Sequence, residues 1–356
     1  MEESMKKYEF NDIGPWGFHP PGSLCDHAPA PPGTNPPYLS SPELQKNGYH
    51  VEELNGGIYW VISCGYDAAF VVTPAGVIAI DAPPALGENM LAAIESVTDK
   101  PVTHVIYSHW HADHIGAASM YGPNVQIIAH DITRELLERF PDPQRPIPTI
   151  TFAKDYTLEL GGVKLELAYK GTNHCPGNIF IYAPAQKVLV AIDIVSPGHT
   201  SFMHCDASEN ISGWLEAHDQ ILEYDFNYFV GGHISRWGTR EDVVTAREFF
   251  HDMLHYAWEV LEEMSTPDAA QGYITSVGMD HVWVGVETYI NSMANEVTKR
   301  TLAKVTSNGK KWTERLAGAT SMTKYHAYSI VESTRLERTH KGYQKRGPIG
   351  INKFIW

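Results

Sequence analysis

Three imidazoles and one carboxylate fall within six residues of this chain, in the segment Ser108-His109-Trp110-His111-Ala112-Asp113-His114-Ile115-Gly116. Imidazole nitrogen and carboxylate oxygen are the preferred donors for zinc where no thiolate is used, and they suit iron and manganese as well. Two positions apart on extended backbone, His109 and His111 project to the same side and can share one cation. Asp113 and His114 follow where the chain must turn, placed to face a second cation beside the first. The chain holds 18 histidines, so a merely His-rich surface loop is the competing reading. Four donors at this spacing, directly after the apolar run Val102 to Tyr107, weigh against it.

Three further donors stand at the ends of later strand-like runs. His174 lies in the turn Gly171-Thr172-Asn173-His174-Cys175-Pro176-Gly177-Asn178, between Val163 to Tyr169 and Ile179 to Tyr182. Taken alone, a loop histidine is more often a solvated surface residue. Cys175 beside it reads as a small buried side chain. Asp193 ends the run Lys187-Val188-Leu189-Val190-Ala191-Ile192. A buried strand ends in a carboxylate where that group is paired, hydrogen-bonded or metal-bound; the alternative is a turn cap before Pro197-Gly198. His233 closes Phe226-Asn227-Tyr228-Phe229-Val230-Gly231-Gly232, whose glycines permit close approach or positive φ.

His-x-His-x-Asp-His after a hydrophobic strand, followed in order by His174, Asp193 and His233, resembles the signature of the metallo-β-lactamase superfamily. The resemblance covers residues 50 to 265. It implies a metal site built from His109, His111 and His174, a second from Asp113, His114 and His233, and Asp193 between them. It further implies a dinuclear metal-dependent hydrolase, with two zinc ions per chain and iron or manganese as other occupants. In such an enzyme a metal-bridging hydroxide, oriented by Asp113, cleaves an ester, lactone, thioester or cyclic amide bond of a small molecule. β-Lactam specialists of the family usually carry Cys or another residue where Asp193 stands. Asp193 therefore points to the broader glyoxalase II-like and lactonase-like branch. Asp81 falls where the family often keeps an acid beneath the metals; a simple turn aspartate before Pro83-Pro84 is the other reading. Two other classes stay open: a mononuclear iron oxygenase of the same fold acting on persulfides, and a non-catalytic binding module.

At 356 residues and 43% hydrophobic, the chain is long enough to bury a full core. No apolar run approaches the ~20 residues of a membrane span, and Met1 to Lys7 lacks an apolar signal core, so the expectation is a cytoplasmic protein. The formal charge of −15 repels phosphate backbones and weighs against nucleic acid as a partner. Cys25, Cys64, Cys175 and Cys205 show no CxxC spacing, which argues against a disulfide scaffold and a thiolate zinc site.

The elements that must position these donors are legible in outline. Residues 1–48 form a Pro- and Gly-rich extension, including Ala28-Pro29-Ala30-Pro31-Pro32-Gly33, which regular helix or central strand cannot accommodate. Residues 49–265 are expected to be the catalytic domain. Val51 to Leu54, Ile58 to Ser63, Ala68 to Val72 and Gly76 to Ile80 read as short strands, then Glu88 to Thr98 and Ile132 to Phe140 as helices. The alternation of strand groups and helices fits an α/β fold, an αββα sandwich of two mixed β-sheets flanked by helices. Thr239 reads as the N-cap of a helix. Residues 266–356 form a helical extension in which Val282, Val286, Tyr289, Ile290 and Met293 recur at helical spacing from Asp280 to Val305, an added packing element or a homodimer contact. Pocket candidates near the donors are Trp110, His199, Phe202, His204, Arg236 and Trp237, each more often packing than substrate contact.

Overall fold

The computed structural model describes residues 46–63, 65–233, 236–264 and 281–337. The Pro-rich extension therefore lies outside the described residues up to residue 45, as do Cys25, Cys64 and Asp280. Among the described residues twelve strands form two sheets. The first has seven strands in chain order: β1 (His50–Asn55), β2 (Ile58–Ser63), β3 (Tyr66–Thr73), β4 (Gly76–Ile80), β5 (Val102–Ile106), β6 (Gln126–His130) and β7 (Ile150–Phe152). It is antiparallel from β1 to β4 and parallel from β4 to β7. The second has five strands: β8 (Asp155–Leu160), β9 (Val163–Ala168), β10 (Phe180–Ala183), β11 (Val188–Val190) and β12 (Tyr228–Val230). There only β11 and β12 run parallel.

Strand alternation assigns every face. On β4, Ile78 and Ile80 join Trp60, Ile62 and Ala69 in the layer between the sheets, where Leu165, Leu167, Ile181 and Val190 of the second sheet meet them. Val77 and Ala79 face outward onto helix α1 (Glu88–Glu95) through Met90, Ala93 and Ile94. On β10, Ile181 and Ala183 point inward, whereas Phe180 and Tyr182 face the other outer layer. That layer is α4 (Ile211–Ile221), α5 (Arg240–Met264), α6 (Val282–Ala303) and α7 (Ala319–Glu337), packed around Trp214, Phe249, Phe250, Met293 and Ile330. Two further helices are the short α2 (Ala112–Ile115) and α3 (Asp131–Arg139). The αββα sandwich of two mixed sheets, with helices added at the C-terminal side, is thus the architecture.

Differences from the sequence expectation are local. The helix after Gly87 stops at Glu95 and not at Thr98. Val282 is exposed and Val286 only partly buried; the buried stripe of α6 begins later, at Ile290, Met293, Ala294 and Val297. Helix α7 and the short strands β6 and β7 carry no strong periodic signal of their own. No helix among the described residues is long and apolar enough to cross a membrane.

Candidate metal centre

Parallel pairing decides where the donors go. β4 and β5 run together, as do β11 and β12, so each pair ends at one side of its sheet. Asp81 follows β4, Ser108 to His114 follow β5, Asp193 follows β11 and His233 follows β12. The two sheets are stitched at this edge by Asp67 N–H to Gly232 O (3.1 Å) and Ile179 N–H to Ser108 O (2.9 Å). The crevice beyond the carboxyl ends of parallel strands is where such folds place their chemistry. His111 is extended and caps α2, which carries Asp113 and His114. His174 enters from the β9–β10 loop, its N–H held by Asn173 Oδ1 at 2.6 Å; Asn178 Nδ2 braces that same oxygen and Ile192 O, each at 3.0 Å.

All seven expected donors converge. His109, His111 and His174 lie together with Cys175; His109, His114 and Asp193 form a second overlapping group; Asp113, His114 and His233 form a third. Asp193 Oδ2 stands 3.4 Å from His109 Nε2, 3.1 Å from His114 Nε2 and 3.2 Å from His174 Nε2, and its Oδ1 is 3.0 Å from His233 Nε2. His174 Nε2 and His111 Nδ1 face each other at 3.0 Å, and so do His114 Nε2 and His233 Nε2. Imidazole nitrogens aimed at one another and at one carboxylate form a donor set that divalent cations would neutralise. His109 Nε2 is buried with no hydrogen-bond partner among the described residues, a cost a folded chain tolerates where a ligand completes the group. The residues therefore fit a metal centre. Asp113 differs from the rest: its side chain is 45% exposed, so it faces the open side of the site.

The surroundings fix the donor atoms. Ser108 donates through its N–H and Oγ to the Asp81 carboxylate, both at 2.7 Å, and Ser108 Oγ lies 2.9 Å from His109 Nδ1. This chain leaves Nε2 of His109 turned inward, the arrangement by which outer groups orient a metal ligand. Asp81 and Asp193 both hold left-handed backbone, φ 64° and 63°, which aspartate tolerates better than most residues. Gly232, at φ 93°, passes so close that a Cβ there would lie 2.7 Å from Ile192 Cγ2 and 3.1 Å from His114 Cε1. Trp214 Nε1 donates to Asp193 O at 2.8 Å and ties the site to α4.

Electrostatics separates the histidines. Burial holds His109 well below its ordinary pKa, with the neighbouring His114 charge adding to the effect; burial lowers His111 and brings His174 down to about 4. These three stay neutral, the form that binds metal. Burial opposes charge on His114 and His233 as well, but Asp193 outweighs it, lifting His114 to about 9 and raising His233. Asp193 is held well below the carboxylate range: its burial is outweighed by His114, His174 and His233.

Other acids at the site gave no recognisable sequence signal. Asp67 is buried beneath it, accepts from Trp60 Nε1 at 2.6 Å, and is pushed up to about 6 by burial. Asp206 is buried too, raised to about 7 by burial and by the charge of Asp193. The Tyr66 ring packs tilted against the His233 ring, with centroids 4.6 Å apart. Of the pocket candidates, Trp110 stacks on Phe140, and its carbonyl accepts from Arg145. Phe202 is exposed. Arg236 is committed to Asp242 through two hydrogen bonds, Trp237 packs on Tyr228, and His204 packs on α7.

The family model of the metallo-beta-lactamase superfamily matches residues 64–244, just over half of the chain. The α subunit of 2,4-dinitroanisole O-demethylase from Nocardioides sp. (strain JS1661) is 30% identical over 191 residues, covering 52% of this chain and 58% of that subunit. A type 2 metallo-beta-lactamase from Bacillus sp. (strain 170) is 25% identical over 153 residues, covering 42% of this chain and 58% of that protein. The chain thus spans less than two thirds of the length of these curated relatives. Among solved structures, a metallo-beta-lactamase from Pontibacter korlensis is 22% identical with a TM-score of 0.49, covering 56% of this chain and 97% of that one.

Proposed function

This chain belongs to the metallo-β-lactamase superfamily, and from that premise we propose that it is a dinuclear metal-dependent hydrolase acting on a small molecule. The bond cleaved is an ester, lactone, thioester or cyclic amide. The observation that carries the proposal is the convergence of His109, His111, His174 and of Asp113, His114, His233 on the two sides of Asp193. His109, His111 and His174 would hold one cation, Asp113, His114 and His233 the other, and Asp193 would contact both. Zinc suits these donors, as do iron and manganese. Bound there, the cations would supply Lewis acidity and a lowered water pKa, towards ~7.

The protein's own residues do the rest. Asp113, the exposed acid of the set, accepts a proton from the attacking water and orients it. The Ser108–Asp81 pair holds the His109 ring in place, and Asn173 with Asn178 holds the His174 loop. Trp110 and Phe140, stacked beside His111, form an apolar wall suited to a compact, partly apolar substrate.

The test combines metal content of the purified protein with a panel of esters, lactones, thioesters and β-lactams. 2,4-Dinitroanisole joins the panel because the O-demethylase α subunit is similar to this chain. Two metals per chain and chelator-sensitive turnover are expected. Activity indifferent to chelators in metal-free protein would sink the proposal. Asp113→Ala and His111→Ala should each lose most activity while circular dichroism stays native; wild-type turnover by either would remove the assigned role. A homodimer through the C-terminal helices, where Trp283 is 80% exposed, is part of the same proposal and is checked by sedimentation.

A further inference from the structure

The first turn of α4 touches two of the expected donors at once. Glu209 N–H donates to His174 O at 2.7 Å and Asn210 N–H to Asn173 O at 3.3 Å, so the chain enters the helix bonded to the His174 loop. Asn210 caps the helix, its Oδ1 accepting from Gly213 N–H at 2.9 Å. Gly213 then passes so close to that loop that a Cβ would lie 2.0 Å from Thr172 O. One residue on, Trp214 Nε1 donates to Asp193 O at 2.8 Å. His174 and Asp193 come from different loops, yet their side chains stand 3.2 Å apart. Residues 209–214 bracket the pair.

Asp193 needs such a hold. Its backbone is left-handed, with φ 63°, a conformation unfavourable for L-residues. Strain of this kind persists only where the surroundings over-determine it. The peptide before Asp193 is held by its N–H, which donates to Gly231 O at 3.0 Å. The peptide after it is held by the Trp214 indole. Without that N–H, a buried carbonyl loses its donor and the backbone is freer to relax. Relaxation would swing the carboxylate away from His109, His114, His174 and His233, because backbone torsion sets where Cβ points.

The indole is itself firmly placed. Trp214 is fully buried. The Phe250 ring of α5 meets it edge-on, with centroids 4.6 Å apart, and so does His218 at the same distance. The C-terminal helix α7 anchors α4 from another side. Ser212 Oγ donates to Glu337 Oε2 at 2.7 Å, and Ser333 Oγ donates to Glu337 Oε1 at 3.0 Å. Phenylalanine would fill much of the same space; what it lacks is the donor aimed at Asp193.

We propose that Trp214 is a positioning residue of the metal centre: its indole N–H locks the left-handed backbone of Asp193 and so keeps that carboxylate between the two cations. The assignment rests on the metallohydrolase reading, and Trp214 acts through Asp193.

The probe is cobalt(II), whose visible absorption reports the geometry of its ligands, added stepwise to metal-free protein. Trp214→Phe removes the N–H and keeps an aromatic ring. Benzothienylalanine at position 214, introduced by stop-codon suppression, keeps the bicyclic shape with sulfur in place of N–H, and it decides the matter if the phenylalanine variant does not fold. Phe250→Leu is the packing control, since it loosens the surroundings of Trp214 and leaves the hydrogen bond in place. Thermal unfolding of the metal-free proteins reads what each change costs in stability. Wild type is expected to take up two cobalt ions per chain. Each change at position 214 should weaken cobalt binding by roughly 10–100-fold, the range for loss of a group that orients a ligand, and should alter the visible spectrum of the loaded protein. Phe250→Leu should melt earlier with wild-type cobalt affinity and spectrum. Wild-type affinity and spectrum in a folded position-214 variant overturn the role of Trp214 and leave the metal centre standing. So does a Phe250→Leu variant that reproduces their loss. Absence of cobalt uptake by wild type overturns both.

Discussion

Replacing Asp81 separates what holds the fold from what holds the metal. Its carboxylate accepts two bonds from Ser108, both 2.7 Å, and Ser108 Oγ in turn orients His109. In Asp81→Ala, two buried donors lose their acceptor, at ~1–3 kcal/mol each. Alanine at φ 64° adds about 1 kcal/mol. Against these stands a gain: burial pushes this carboxyl from 3.8 up to about 6, so its removal returns roughly 3 kcal/mol at neutral pH. The terms largely cancel and leave a loss of about 2 kcal/mol. Metal affinity has no such compensation, because among the described residues the Ser108 hydroxyl that meets His109 Nδ1 is itself oriented by Asp81 alone. Removal of an outer-shell partner lowers metal affinity by roughly 10–100-fold. Asp81→Asn keeps the left-handed backbone and one acceptor oxygen, so it should fall between wild type and Ala. Zinc affinity is read by competition with a chromogenic chelator and stability by thermal unfolding of the metal-free protein. Asp81→Ala with wild-type zinc affinity would refute the positioning role. So would Asp81→Asn binding zinc more weakly than Asp81→Ala.

Two further outcomes are expected. Gly232→Ala forces a Cβ to within 3.1 Å of His114 Cε1 and 2.7 Å of Ile192 Cγ2, at a φ of 93°; it should weaken zinc binding at least as much as Asp81→Asn, and normal affinity would show that the backbone approach there is unimportant. Acid should destabilise the metal-free protein through two histidines remote from the donors. Burial pushes His218 down to about 4 and His326 to about 3, whereas both return to 6.5 on unfolding. Below pH 6.5 the unfolded chain binds more protons, so this stability is full above 6.5 and is lost as pH falls towards about 4 and then 3. His326→Asn, which retains an acceptor for Cys205 N–H, should flatten the fall of the melting temperature between pH 6.5 and 4; an unchanged slope would remove His326 from the account.

The donors were legible because they are local. His109 to His114 form one short segment, and Asp193 and His233 each stand out as a polar residue ending an apolar run. Strands β2 and β4 could be bounded to the residue, since branched and aromatic side chains end at turn residues there. Helix α7 gave no comparable signal: its buried face includes Thr323, His326 and Thr334, polar residues whose inward position no apolar pattern marks. Asp67 and Asp206 were invisible for the same reason. In sequence, each is one acid among 42 acidic residues, and only enclosure gives it meaning.

What the sequence determined by itself was chemistry: which side chains offer nitrogen and oxygen to a cation, and that they occur in a family's order. Which donors meet was decided by tertiary structure. Spacing along the chain cannot bring His174 within 3.2 Å of Asp193, or His233 within 3.0 Å of the same carboxylate. Parallel pairing of β11 with β12 brings His233 to Asp193, and antiparallel pairing of β9, β10 and β11 turns the loop of His174 to the same edge. Tertiary structure also decided where the C-terminal helix packs, with His326 and Ser329 of α7 bonded to Cys205 and His204. Ligand type is a property of a residue, whereas convergence and strain are properties of long-range packing, which no local stretch of sequence contains.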